Sequence, residues 1–576
     1  MIVFSTGRCC SMVRVWLSVL VCLYLGLQTG NVGQASAPRP PKLVVLLVVD
    51  QMRADYVDRF GHQWAKGLKR LVNEGASYRQ AAYPYLNTVT CVGHATVSTG
   101  TFPASHGIVN NSWLDREAGR SVGCADDPKA VAISYGAPIS GGYSTARLLV
   151  PTLADELRAQ LPVPPRIVTF SIKERTAVVL AGRRADAVTW FNAGARSLAT
   201  SSAYANAPVP FVRRFLETHP IENDFGKSWT RALPADRYLY DDAGRGEKPP
   251  SYWTSAFPHQ LDGRTDRPGD DFYDAWESSP FSDAYLGGLA EAAVDGLGLG
   301  KGPGTDFLAI SFTALDLVGH DFGPSSHEVQ DVLVRLDQTI GSLLAHLDLT
   351  VGRANYVLAL TSDHGSAPIP EQVTAEGLNG GRLGMARIVE RTEKTLQQAF
   401  GPGKYVARLM ASDLYLAPGV ADKLRLNPAA RDTVLDAISA VPGVARVFFG
   451  DALVNLRATE DRDALAAALS YYPGRSGDII IVLKPYWFFV SGDGSKQTGS
   501  AATHGSPYDY DQRVPIILFG VGIRPGEYLR RVTPADIAPT LAFLCGITLA
   551  SPDGRPLVEA LAAGAPTARK TTTPQH

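Results

Sequence analysis

Five short and almost wholly apolar runs recur along this chain of 576 residues, and they constrain its fold more than any other feature. Continuous apolar runs of this length are typical of strands that a parallel sheet buries on both faces. Helical patterns lie between them, for example at 284–297 and 329–347. Strands alternating with helices predict an α/β fold with a doubly wound, mostly parallel sheet flanked by helices. The runs are KLVVLLVVD (42–50), RIVTFSIK (166–173), DFLAISFTALD (306–316), NYVLALTSDHG (355–365) and RVPIILFG (513–520).

The N-terminal residues have the features of a secretory signal peptide. Arg8 and Arg14 precede an apolar run of thirteen residues, and the small residues of QASA follow, so we expect cleavage after Ala37. The alternative is a membrane anchor, but the run is short of the roughly 20 residues that span a bilayer. We therefore predict a periplasmic or secreted protein with no membrane anchor after cleavage.

The remainder, residues 38–562, is predicted to be one catalytic domain with two insertions. Residues 192–282 are rich in aromatic residues, Pro and Asp, and residues 366–500, which we call the cap, carry helix and strand signals of their own. Residues 563–576 are expected to be a disordered tail. The formal net charge of −1 does not favour general nucleic-acid affinity, and no nucleic-acid-binding surface is evident.

Three cysteines, Cys91, Cys124 and Cys545, remain after removal of the signal peptide. They allow at most one internal disulfide and leave one thiol over. Export makes a disulfide permissible, but the spacing of the three residues does not determine which two would pair.

Several apolar runs end on aspartate or histidine, residue types that commonly bind metals. In an open parallel sheet the carboxyl ends of the strands meet at one edge, where ligands bind. Aspartate oxygens and histidine nitrogens suit zinc, although manganese or cobalt can use the same ligands. Each residue alone is more often structural, and the argument rests on all six falling at strand ends or in loops. They are Asp50, Asp316, His320, Asp363, His364 and His504.

These motifs, taken together, closely resemble the alkaline phosphatase superfamily. VVDQMRADY, NTVTCVGHATVSTG, HGIVNNSW, DLVGHDFGP, TSDHG and THGSPYDYD occur in this order. Within the superfamily they are similar to the phosphodiesterase/nucleotide-pyrophosphatase-related branch that includes the phosphate-irrepressible alkaline phosphatases. The resemblance runs from about Lys42 to about Leu549. It implies an alkaline-phosphatase-like fold with a site for two zinc ions.

The resemblance also implies a role for each residue. One Zn²⁺ would be held by Asp316, His320 and His504, and the other by Asp50, Asp363 and His364. Thr90 would be a further ligand and the nucleophile, since His94 follows it by four residues as in the family; Thr88 is out of register. Thr90 begins an apolar, helix-like stretch, and helix N-termini favour phosphate. The reaction would pass through a phosphothreonine.

The residues that bind the phosphoryl group should distinguish monoesters from diesters. A monoester dianion carries more charge on its free oxygens, so cationic donors favour it. Lys173 and Arg175 follow the strand RIVTF, and we expect an extended backbone to direct both the same way. With Asn111 they match the Lys, Arg and Asn of the phosphate-irrepressible monoesterases. The resemblance thus predicts an alkaline phosphatase of broad specificity that takes small phosphate monoesters and releases inorganic phosphate.

Three alternatives stay open to different degrees. The first is a phosphodiesterase or nucleotide pyrophosphatase on the same two-metal core, with Lys173 and Arg175 facing solvent. The second is a cell-surface binding protein without catalysis, although the complete ligand set argues against it. A sulfatase is disfavoured because the nucleophile segment lacks the Cys/Ser-x-Pro-x-Arg motif.

Overall fold

Ten strands form one central sheet in the structure, a computed structural model that describes residues 39–492 and 499–562. In chain order they are β1 (Leu43–Val49), β2 (Ala76–Ala81), β3 (Ala132–Ser134), β4 (Ile167–Ser171), β5 (Ala187–Asn192), β6 (Ser197–Ser201), β7 (Asp306–Phe312), β8 (Tyr356–Thr361), β9 (Ile516–Gly520) and β10 (Gly526–Val532). Their spatial order is β10-β2-β9-β8-β1-β7-β4-β5-β6-β3. The predicted signal peptide and tail lie outside the described residues.

Strand direction confirms a mostly parallel, doubly wound sheet. The central strand β1 pairs in parallel with β7 on one side and β8 on the other, and β4 and β5 continue the parallel part. Of the ten strands, β6 and β9 run opposite to the other eight. All five apolar runs form strands of this sheet. The run that forms β9 is antiparallel to its neighbours. The sequence could not predict this, because an apolar pattern indicates burial and carries no information about strand direction.

Alternate residues of β1 enter the two cores on either side of the sheet. Leu43, Val45, Leu47 and Val49 belong to one hydrophobic cluster, and Val44, Leu46 and Val48 belong to the other. Every residue of β1 is fully buried, which explains why its sequence is continuously apolar.

Helices cover both faces of the sheet. The predicted helices at 284–297 and 329–347 are present and begin a few residues earlier than expected. Among the described residues, no helix has the length and apolar character needed to cross a membrane. The helices of eight or more residues are Gly67–Glu74, Thr90–Thr99, Leu153–Gln160, Glu174–Ala181, Pro210–Thr218, Asp270–Glu277, Pro280–Leu297, Ala314–Phe322, His327–Thr350, Met385–Phe400, Pro428–Ser439, Arg462–Ser470 and Ile537–Cys545.

The cap builds a separate sheet between β8 and β9. Its four strands, in spatial order, are Val406–Met410, Asp413–Leu416, Ile479–Leu483 and Val444–Phe449. A strand pair, Gly381–Gly384 with Trp487–Val490, lies beside it. The helices Met385–Phe400 and Pro428–Ser439 share its hydrophobic cluster. The first predicted insertion, residues 192–282, begins with β6, which is part of the central sheet. The chain therefore leaves the sheet only after Ser201. The extent of the two insertions stays a prediction.

Candidate active site

The carboxyl ends of four adjacent parallel strands bring the candidate site residues together. Asp50 directly follows β1, and Asp363 comes two residues after β8. Lys173 comes two residues after β4, and Asp316 lies in the helix Ala314–Phe322 that follows β7. Because β4, β7, β1 and β8 are neighbours in this order, side chains far apart in sequence meet at one edge.

Two groups of metal-ligand atoms are found among the described residues. Asp50, Asp363 and His364 form one, and Asp316, His364 and His504 form the other, each with its ligand atoms within 4.8 Å of one another. His364 thus belongs to both groups, whereas the sequence assigned it to one. His320 lies beside the second group, with Nε2 3.4 Å from Asp316 Oδ1. The division of ligands between two zinc ions stays a prediction.

Backbone carbonyls orient the three imidazoles. Nδ1 of His320 lies 2.9 Å from the Ala502 carbonyl oxygen, Nδ1 of His364 lies 3.0 Å from that of Gly365, and Nδ1 of His504 lies 2.9 Å from that of Thr88. A carbonyl only accepts, so each Nδ1 carries a proton, and in the neutral form of each ring the lone pair is on Nε2. These lone pairs face the carboxylates. Ligating histidines in metalloproteins are held in this way.

Burial and charge make the site suitable for divalent cations. Burial lowers the pKa of His364 and His504, so both imidazoles are neutral at neutral pH, as metal ligands must be. Burial raises the pKa of Asp50 well above its ordinary value, and the carboxylates of Asp316 and Asp363 raise it further. Asp50 Oδ1 and Asp363 Oδ2 are buried without a hydrogen-bond partner. Three crowded carboxylates, two of which have an oxygen without a hydrogen-bond partner, fit a metal centre.

The ammonium group of Lys173 lies between the two ligand groups. Its Nζ donates to Asp50 Oδ2 at 2.7 Å and to Asp316 Oδ2 at 2.5 Å. Burial opposes ionisation of Asp316, but Lys173 and the neighbouring imidazoles outweigh it and hold the pKa of this carboxyl well below its ordinary value. Lys173 therefore neutralises part of the carboxylate charge at the centre of the site.

Thr90 begins a helix that points its N-terminus at this edge of the sheet. The helix runs over Thr90–Thr99 and so begins at Thr90 as expected, and Thr90 is 1% exposed. Its Oγ1 lies 3.4 Å from His364 Nε2. The rival hydroxyl of Thr88 instead donates to the Ser506 carbonyl at 3.0 Å. Of these two hydroxyls, the structure brings that of Thr90 to the ligand groups.

Glycine and histidine in the same helix allow it to approach Asp363 closely. A Cβ on Gly93 would lie 2.1 Å from the Asp363 carbonyl oxygen. His94 Nδ1 lies 2.8 Å from the Thr90 carbonyl oxygen and 3.2 Å from Asp363 Oδ2. His94 thus holds the backbone of the nucleophile segment through its hydrogen bond to Thr90 and lies next to the Asp363 carboxylate.

Asn111 is held next to Thr90 by its side chain and by a disulfide. Its Oδ1 accepts a hydrogen bond of 2.8 Å from the Cys91 backbone N–H, so its amide N–H₂ is left to donate elsewhere. Cys91 is bonded to Cys124, whose N–H donates to the Asn111 carbonyl oxygen at 2.9 Å. Cys545 is a buried free thiol. The structure thereby settles the pairing that the sequence left open.

The expected backbone around Arg175 is wrong. A helix, Glu174–Ala181, begins directly after Lys173, which has the extended conformation of a capping residue. Residues two apart do not face each other on a helix, so the argument from an extended strand does not apply. Arg175 Nη1 lies 3.8 Å from Glu174, and the side chain is about a quarter exposed. Its role in binding a phosphoryl group stays a prediction.

Gln51 connects the two ligand groups and was not identified from the sequence. Its N–H donates to Asp363 Oδ1 at 3.2 Å, and its Nε2 donates to Asp316 Oδ1 at 2.6 Å. Gln51 has a φ of 69°, an uncommon conformation for a residue with a side chain. A Cβ on Gly319 would lie 1.9 Å from Gln51 Oε1, so glycine in DLVGHDFGP makes room for this link.

The cap also contacts the segment that precedes Thr90, which the sequence did not suggest. The N–H groups of Leu86 and Asn87 donate to Ser470 Oγ at 2.9 and 3.0 Å. Ser412 Oγ donates to Asn87 Oδ1 at 2.7 Å, and the Asn87 amide lies 3.4 Å from Asp413 Oδ2. These buried contacts join the cap to the polypeptide three residues before the nucleophile.

Comparison with known proteins identifies the family and the fold of this chain. The family model of type I phosphodiesterase / nucleotide pyrophosphatase matches residues 44–507. A protein of Myroides odoratus named calcium-transporting ATPase is 32% identical, over 90% of this chain and 95% of its own. Alkaline phosphatase PafA of Elizabethkingia meningoseptica is 32% identical, over 95% of this chain and 99% of its own. A crystal structure of wild-type alkaline phosphatase PafA has a TM-score of 0.81 with 29% identity, covering 92% of this chain and all of that chain. This chain therefore belongs to the type I phosphodiesterase / nucleotide pyrophosphatase family and has the alkaline-phosphatase-like fold.

Proposed function

We propose that this chain is an exported, zinc-dependent alkaline phosphatase that hydrolyses small phosphate monoesters through a phosphothreonine at Thr90. Relatives named alkaline phosphatases match most of the chain, so the broader statement, a hydrolase that acts on phosphate esters, stands on the comparisons. The single observation that carries the finer proposal is the position of Thr90 Oγ1. It lies at a helix N-terminus and beside His364, which belongs to both ligand groups.

The residues of the site have complementary roles in this reaction. Bound zinc would supply Lewis-acid stabilisation of the attacking and leaving oxygens. Thr90 Oγ attacks phosphorus, the ester oxygen leaves, and water then hydrolyses the phosphothreonine to release inorganic phosphate. The N-terminus of the helix Thr90–Thr99 would face the phosphoryl group, and a helix end favours negative charge, although the Cys91 N–H is already used by Asn111 Oδ1. The free amide N–H₂ of Asn111 is a further donor to a phosphoryl oxygen.

Preference for a monoester rests on Lys173 and Arg175. Two cations and an amide donor suit a group whose three free oxygens share two negative charges. A solved variant of alkaline phosphatase PafA carries substitutions at a threonine, an asparagine, a lysine and an arginine. Those four positions have the same spacing along the chain as Thr90, Asn111, Lys173 and Arg175, which supports the same set here.

A double substitution tests the monoesterase assignment. Lys173→Ala/Arg175→Ala should lower kcat/KM for an aryl phosphate by about 10²-fold or more, because donors to the transition state are lost. The loss for the bis-aryl phosphate should be smaller. Arg184→Ala, which removes an exposed arginine beyond the C-terminal end of the helix Glu174–Ala181, is the control and should leave both values unchanged. Wild-type enzyme that hydrolyses the diester with higher kcat/KM than the monoester would contradict the proposal.

The description of the family model favours a second candidate, a phosphodiesterase or nucleotide pyrophosphatase. In that case the double variant would retain its activity on the bis-aryl phosphate, and wild type would prefer that substrate. Export is tested separately by fractionating the cells that produce the protein and by sequencing the N-terminus of the mature chain, which should begin after Ala37.

A further inference from the structure

A small cavity lies between the cap and the loop that carries His504. Its volume is about 190 Å³. One wall comes from the cap, and apart from a few small polar groups it is apolar and largely aromatic. Its main side chains are those of Met385, Ile481, Leu483, Trp487, Phe488 and Phe489. Phe489, Met385 and Trp487 are only partly buried, so apolar surface lies open to a ligand at this position.

The cavity adjoins the groups that would act on the phosphoryl group. Val89, which directly precedes Thr90, lines it, and so does His504 of the second ligand group. In an in-line displacement the attacking and leaving oxygens lie on opposite sides of phosphorus. The helix that Thr90 begins packs at Gly93 against Asp363, which belongs to the first ligand group only. With Thr90 on the side of that group, as proposed above, the leaving oxygen belongs on the side of Asp316 and His504. The organic substituent attached to that oxygen is then next to the cavity.

Charge and size restrict what the cavity can hold. Among the described residues that line it there is no lysine or arginine, so a second phosphate or a carboxylate on the ligand would find no cationic partner there. The acidic residue of the lining is Asp511, which is 1% exposed and accepts hydrogen bonds from Ser506 N and Oγ. A cavity of about 150 Å³ holds benzene, and drug-sized ligands need about 300–1,000 Å³. One ring fits this space, and a nucleoside does not.

We propose that this cavity binds the organic substituent of the substrate and selects phosphate esters of a single uncharged aromatic or compact apolar group. The inference rests on the proposed function, because the position of the leaving oxygen follows from the proposed role of Thr90 as the nucleophile. It narrows the substrate class of the same site from phosphate esters in general to aryl and similar esters. Phe489 and Met385 are then specificity-determining residues that touch the substituent.

Binding of two phosphonates tests the cavity independently of turnover. Dissociation constants of phenylphosphonate and methylphosphonate are measured by calorimetry on zinc-loaded protein. Wild type should prefer the phenyl compound by about 10-fold or more. Phe489→Ala, which removes a wall, and Met385→Trp, which fills the space, should each lower this preference about 5- to 10-fold and leave methylphosphonate binding unchanged. Phe448→Ala removes an equally half-buried cap phenylalanine outside the cavity and should change neither constant.

Two outcomes distinguish failure of this inference from failure of the proposed function. Equal binding of the two phosphonates by wild type, or an unchanged preference in both variants, overturns the inference even if phenyl phosphate is hydrolysed. A preference that both variants lower, in a protein that hydrolyses diesters better than monoesters, sustains the cavity assignment and overturns the monoesterase. Hydrolysis of phenyl phosphate and methyl phosphate by the same variants gives the corresponding ratio of kcat/KM, which should fall in parallel with the binding preference.

Discussion

Replacing Gly93 by alanine should displace the nucleophile from the metal ligands. The added Cβ would lie 2.1 Å from the Asp363 carbonyl oxygen and 2.6 Å from Asp363 Cβ. Ordinary contact begins near 3.4 Å, so the helix Thr90–Thr99 and the turn that carries Asp363 must separate by about 1.3 Å. Both sides of this contact include backbone, which cannot move aside as a flexible side chain can. A misplacement of about 1 Å at a reacting centre costs about 10²-fold in rate.

The expected result is a loss of about 10²-fold in kcat/KM for an aryl phosphate, with weaker zinc retention during dialysis against a chelator. Overpacking costs about 1–3 kcal/mol of stability, while alanine in a helix gains up to about 1 kcal/mol over glycine, so the net change in the free energy of unfolding should be a loss below about 3 kcal/mol. The matched control is Gly288→Ala, a helical glycine whose Cβ would meet Phe215 at 3.4 Å, and it should retain full activity. Gly93→Ala protein with the zinc content and kcat/KM of that control would refute the reasoning.

Three further outcomes follow from the site and its surroundings. Thr90→Ala should lower kcat on an aryl phosphate by more than about 10³-fold with zinc content unchanged in metal analysis; substantial turnover would remove Thr90 as the nucleophile. Cys124→Ala opens a cross-link that spans 33 residues, so chemical denaturation should show a loss of about 4 kcal/mol, and kcat should fall because Asn111 is no longer held; full activity would contradict this. Burial raises the pKa of Asp283 to about 7 from 3.8, so this carboxyl stabilises the fold below pH 3.8 and the stabilisation is lost as the pH rises towards 7. The free energy of unfolding of Asp283→Asn relative to wild type should therefore rise by about 4 kcal/mol between pH 4 and pH 7.5, and a constant difference would show that Asp283 does not titrate in this range.

Features that depend on local sequence were predictable. A short, continuous apolar run favours a buried strand, and all five runs form strands of the central sheet. Because parallel strands share a carboxyl edge, Asp50, Asp316 and Asp363 were expected to converge, and their ligand atoms do. Thr90 was expected at a helix start for a similarly local reason, since it opens an apolar stretch after β-branched residues.

Features that depend on which distant segments touch were not predictable. Three features depend on residues that are distant in sequence and close in space, and no local pattern predicts them. They are the direction of β9, the sharing of His364 between two ligand groups and the pairing of Cys91 with Cys124. Gln51 illustrates the limit, because a glutamine after a strand signals nothing until Asp316 and Asp363 lie on either side of it.

The sequence alone thus predicted an α/β sheet with five of its ten strands, the edge at which the candidate site residues meet and the residue types gathered there, because burial and the alternation of strands with helices are local patterns. Only the tertiary structure decided how those residues face each other. It showed that Arg175 lies in a helix and not in the expected extended strand. It also showed that side chains of the cap form hydrogen bonds with the segment before Thr90. The physical reason is that close contacts such as that of Gly93 with Asp363 arise from packing between segments 270 residues apart, which no single stretch of sequence encodes.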